Sequence, residues 1–148
     1  MRALLSGLLL VLLALPPARA ASDLDRLLGD LLRPATPQGE VRVRARIERT
    51  AEGGRLVVEL VPEGDAKLVA DPGLELAGLD SPGIRWRTPR AKRVIPGEPY
   101  FDGGVTVVLP FTGEGPGPVR ARLDYAWCLL AFQCLFGERE LELPLPGR

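Results

Sequence analysis

Hydrophobic positions along the chain fall into three successive patterns. Leu4 to Leu15 is apolar except for Ser6 and Gly7, follows a basic start at Met1-Arg2, and is too short to span a bilayer comfortably. Pro16-Pro17 ends this run, and Ala18-Arg19-Ala20 has the small-x-small form that a signal peptidase cuts. The expectation is a signal peptide over residues 1–20 and a mature chain beginning at Ala21. An uncleaved N-terminal anchor is the alternative, and export holds on either reading. No Cys follows the cut site, so no lipid anchor is expected there.

The second pattern has helical spacing. Leu24, Leu27, Leu28, Leu31 and Leu32 fall on one face of a short amphipathic helix, with Ser22 or Asp23 as its cap and Pro34 as its stop. That helix and a linker occupy residues 21–39, and covering one end of the following domain is its expected task. From Glu40 the period becomes two. Val41, Val43, Ala45 and Ile47 alternate with Arg42, Arg44, Arg46 and Glu48; Glu52-Gly53-Gly54 supplies a turn, and Leu56, Val58 and Leu60 return, which predicts a hairpin over 40–62. Short apolar segments follow at 66–70, 74–77, 84–87, 105–111, 118–127 and 138–145, separated by clusters such as Asp71-Pro72-Gly73 and Ser81-Pro82-Gly83. The pattern predicts an all-β, antiparallel β-sandwich over residues 40–148, one domain with one core. Thr88 to Gly104 reads as a long loop, and Tyr100-Phe101 within it either cover something or pack beneath it.

Composition removes several function classes. The chain has no His and no Asn, which excludes imidazole-based triads and His-ligated metal sites. Its formal net charge is zero, and removing Arg2 and Arg19 with the leader leaves the mature domain slightly acidic with its signs interspersed. No nucleic-acid partner is expected of such a surface. Carboxylates lie scattered beside Arg rather than set as a glycosidase-type acid pair. No second apolar run reaches membrane-spanning length, so no transmembrane segment is expected after signal cleavage.

What remains is the pair Cys128 and Cys134. An exported chain with two cysteines normally carries one disulfide. Val119, Ala121, Leu123 and Tyr125 alternate with Arg120, Arg122 and Asp124 up to the first cysteine, and Glu138, Glu140 and Glu142 alternate with Arg139, Leu141 and Leu143 after the second. The cysteines therefore sit at the mouth of a hairpin loop, with five residues between them. A bridge closing so small a ring constrains the unfolded chain by only about 2–2.5 kcal/mol, which makes it a weak staple. The loop reads Leu129-Leu130-Ala131-Phe132-Gln133, apolar where hairpins favour Gly, Asn, Asp and Pro. These features favour a redox-active pair. No Lys or His lies nearby in sequence and the spacing is not Cys-x-x-Cys, so the expected behaviour is that of a passive carrier attacked by an incoming thiolate. Metal capture would need a third and fourth ligand, and no metal or other cofactor is expected. The competing reading is a non-catalytic binding module with a structural disulfide, in which Trp127 and Phe132 grip a partner. On either reading Trp127, Phe132 and Tyr125 are the expected partner contacts.

Tyr125-x-x-Cys128-x5-Cys134 on the penultimate hairpin of an exported sandwich resembles the family of N-terminal periplasmic domains of DsbD, the thiol:disulfide interchange protein. The likeness extends loosely upstream through Pro99-Tyr100-Phe101 and the strand Val105 to Pro110. It implies an immunoglobulin-like fold and a periplasmic location. It also implies electron flow from a membrane thiol reductase, here on a separate polypeptide, to periplasmic thioredoxin-fold proteins. Carried over to this chain, Cys134 forms mixed disulfides with partners, Cys128 resolves them, and Tyr100 or Phe101 caps the disulfide. Leu135-Phe136-Gly137-Glu138 departs from the family, which usually places prolines between an apolar residue and the acid.

Overall fold

The computed structural model describes residues 38–129 and 133–146. The expected leader, the leucine-faced helix and Phe132 lie outside them. The described residues contain no helix; they form nine strands: β1 (Gly39–Thr50), β2 (Gly53–Gly64), β3 (Ala66–Leu68), β4 (Leu74–Gly78), β5 (Arg85–Trp86), β6 (Arg90–Arg93), β7 (Val105–Thr112), β8 (Val119–Leu129) and β9 (Gln133–Leu143). These make a β-sandwich of two antiparallel sheets. One sheet runs β1-β2-β7-β5. In the other, β9 pairs with the whole length of β8, while β3 and β4 share its opposite edge and β6 lies outside β4.

Alternation explains the layers. Leu56, Val58 and Leu60 of β2 and Val105, Val107 and Leu109 of β7 point inward, and meet Leu68, Leu74, Leu76, Ala121 and Leu123 from the second sheet. Charged residues between them face water. On the first sheet Glu48 is bound by both Arg46 and Arg55, and Arg42 pairs with Glu63.

The β1–β2 hairpin agrees with the sequence reading, with one shift. Its two-residue turn is Ala51-Glu52, and both glycines belong to β2. Gly54 lies opposite Phe111, whose ring would stand 2.6 Å from any Cβ at that position. The second difference is β6, a strand inside the stretch read as loop. Arg90-Ala91-Lys92-Arg93 is an edge strand, and its charges, which discourage pairing by further strands, also conceal the apolar alternation that marks a strand in sequence. The same stretch pairs again near its end, where Val69 bridges Tyr100.

Candidate functional site

The cysteines are positioned by the β8–β9 ladder. Its register runs from Val119↔Leu143 to Leu129↔Gln133 and sets Cys128 directly opposite Cys134. Their Cα atoms are 3.9 Å apart and the sulfurs are joined at 1.97 Å. The second cysteine is thus inside the ladder, and β9 begins earlier than the alternation from Glu138 suggested. Gln133 to Phe136 is exposed on both faces, so no inward–outward rhythm marks it in the sequence.

Face follows from register. Leu123, Tyr125 and Trp127 lie on the core side of β8, and both aromatic side chains pack against the core. Ala126 and Cys128 alternate with them and point to the outer face. The disulfide therefore lies on the outside of its sheet, yet its two ends differ. Cys128, on the central strand between β3 and β9, is 1% exposed, whereas Cys134, on the edge strand, is exposed.

The neighbours on this face come from distant parts of the chain. Lys67 of β3 stands directly opposite Cys128 on its other side, so Lys67, Cys128 and Cys134 form one cross-strand row. The adjacent row is apolar: Val69, Ala126 and Phe136, with Tyr100 beyond Val69. Among the described residues Phe136 is the most exposed of the large hydrophobic ones, at 86%. The row after that is charged, with Lys92, Glu75, Asp124 and Glu138 aligned across four strands. Arg90 pairs with Glu75 and Arg122 with Asp124. Ala126, Phe136, Gly73 and this charged row line an open groove of about 340 Å³ beside the disulfide.

The two candidate cap residues separate. Phe101 donates its backbone N–H to the Leu68 carbonyl, and its ring packs on the core. Tyr100, paired with Val69, falls on the disulfide's face two strands from Cys128, about 10 Å at ordinary strand spacing. Tyr125 lies over Gly137, its opposite partner, where a Cβ would come within 2.5 Å of the phenol ring. Trp127 is half-buried on the core side.

Sequence reasoning missed two residues here. Lys67 is invisible to it because only the β3–β8 pairing brings that residue to the cysteine. Phe136 enters the sequence reading only within Leu135-Phe136-Gly137-Glu138, the departure from the family pattern, although its position two residues after Cys134 in a strand is a signal, since such residues share a face. Among the described residues no group of three or more Cys, Asp or Glu is arranged to hold a metal ion. Compared with protein-family models, curated proteins and solved structures, the chain matches none.

Proposed function

We propose that this is an extracytoplasmic thiol:disulfide exchange domain of immunoglobulin-like type, in which Cys128 and Cys134 cycle between disulfide and dithiol. The observation that carries the reading is the unequal exposure of one bridge, open at Cys134 and closed at Cys128. Exchange needs a thiolate to reach one sulfur while the other leaves, and access selects Cys134 as the sulfur attacked.

The chemistry then runs in two displacements. A partner's thiolate attacks Sγ of Cys134, the Cys128–Cys134 bond breaks, and its electron pair leaves on Cys128 Sγ, which takes a proton from solvent. A second thiol of the partner displaces Cys134 from the mixed disulfide. The partner ends oxidised, and the domain ends as a dithiol carrying the pair of electrons. In reverse, Cys134 attacks the disulfide of an acceptor and Cys128 closes the bridge again.

Three features support this cycle. The bridge closes a small ring, so opening it costs little stability. The β8–β9 ladder pairs Cys128 with Cys134 as one of eleven opposed positions, so the covalent bond is not the sole element of their alignment. Phe136, next to Cys134 on the same face, offers an apolar contact to the protein that presents the thiol. In keeping with the resemblance to DsbD domains, the donor is a membrane thiol reductase and the acceptors are periplasmic thioredoxin-fold proteins, with Tyr100 as the capping aromatic.

Cysteine variants test the assignment. With a thioredoxin-fold partner that lacks its resolving cysteine and carries the remaining one as a disulfide with thionitrobenzoate, Cys128→Ser is expected to displace thionitrobenzoate and accumulate a mixed disulfide through Cys134, and Cys134→Ser to accumulate none. Partner binding that survives loss of both cysteines, with no thiol transfer by the intact domain, would instead identify a binding module with a fixed clip.

A further inference from the structure

We infer that Lys67 is the electrostatic partner of Cys128, stabilising the negative charge that its sulfur acquires when the bridge is opened at Cys134. The inference rests on the exchange reading and adds to it the origin of the leaving sulfur's stability.

The argument begins with register. Lys67 and Cys128 are directly opposed in antiparallel strands, so their side chains leave the sheet on the same face with Cβ atoms about 5 Å apart. Ala66 and Leu68 on either side are buried in the core, which confirms that Lys67 points outward. A flexible four-carbon stem from that position reaches the neighbouring sulfur readily. Cys128 itself is closed to water. A thiolate formed there loses solvation, and a nearby cation is the available replacement.

The charges around the row leave Lys67 available. Its backbone belongs to the β3–β8 ladder, and among the described residues its side chain takes part in no hydrogen bond or ion pair. Asp65, the closest acid along the chain, accepts a hydrogen bond from the Gln38 backbone N–H. Asp124 and Glu138 lie two rows away, beyond the apolar row of Val69, Ala126 and Phe136, and Asp124 is already bound by Arg122. On the β9 side, the cross-strand neighbour of Cys128 is Cys134 itself. Among the described residues, Lys67 is therefore the cation that the strand register sets directly opposite the departing sulfur. Because leaving-group stability sets the rate of thiol attack, Lys67 acts on kinetics even where the finished dithiol is protonated.

The test uses dithiothreitol, and steering of its attacking thiolate by Lys67 is measured separately on a β-mercaptoethanol mixed disulfide at Cys134 of Cys128→Ser, whose reduction Lys67→Met should leave unaltered. In the intact domain one dithiothreitol thiolate attacks Cys134, the electron pair departs on Cys128, and the second thiol closes the reagent's own ring. Lys67→Met is expected to slow this reduction about fivefold, Lys67→Arg to restore it, and Lys67→Glu to slow it further, with the differences shrinking in high salt. Lys67 is exposed, so the three variants should keep the wild-type fold, checked by far-UV circular dichroism. Equal rates in wild type and Lys67→Met, or an equal loss in Met and Arg variants, would overturn the inference while leaving exchange intact. A wild-type bridge that dithiothreitol leaves closed in the folded protein would overturn the exchange reading, and this inference with it.

Discussion

Cys128 and Cys134 share a bond but not an environment, and the contrast comes from strand position: a central strand protects one sulfur while an edge strand presents the other. In the reduced protein, Cys134 should therefore react with a small maleimide on the order of tenfold faster than Cys128, as read by mass spectrometry of single-cysteine variants. Comparable rates would remove the basis for assigning attack to Cys134. Gly137 carries a second residue-scale prediction. A methyl group there meets the Tyr125 ring at 2.5 Å, so Gly137→Ala should cost about 1–3 kcal/mol in denaturant unfolding, and part of that loss should disappear when Tyr125 is also replaced by Ala. The cysteine pair was legible in the sequence because its spacing and its apolar loop are local. Lys67 was not, since no local pattern announces which residue of a distant strand will face a cysteine.

At the scale of elements, β9 is divided by exposure. From Glu140 onward it alternates, and Leu141 and Leu143 pack on the core; from Gln133 to Phe136 it is exposed and sets Phe136 on the same face as Cys134. Phe136→Ser should change stability by less than about 0.5 kcal/mol, yet slow exchange with a protein partner while leaving dithiothreitol reduction unaltered. Stopped-flow fluorescence with both reductants separates the two effects. The β1–β2 hairpin has a different sensitivity. Hydrogen bonds from Arg55 and then Arg46 hold the Glu48 carboxyl below the ordinary carboxylate range. A carboxylate with a lowered folded value contributes stability above its unfolded value and loses it as pH falls through the folded one. Thermal unfolding of Glu48→Gln should therefore depend less steeply on pH across the acid range than that of the wild type, with the two curves converging at low pH. Strands with one buried face, such as β1, β7 and β8, were readable from their alternation. The edge strand β6 and the start of β9 escaped that reading because their outer residues are charged or exposed on both sides.

At the scale of the described sandwich, the core and the cysteine pair lie on opposite faces of one sheet. Leu56, Leu60, Leu76, Leu109 and Leu123 hold the two sheets together, while the disulfide sits on the outer face of one sheet and ties only residues already paired. On the proposed carrier function, the sandwich is expected to keep its shape with the bridge open. The layering was legible from the number and spacing of apolar segments; the placement of the disulfide outside the layers required the register. The central claim is that the bridge opens without unfolding its scaffold, and its reduction potential tests this most directly. Equilibrating the folded domain with dithiothreitol or glutathione buffers, with circular dichroism followed in parallel, should give a potential clearly above about −300 mV and an unchanged β spectrum in the dithiol form. A potential below that value, or reduction that proceeds only as the β signal is lost, would contradict the account.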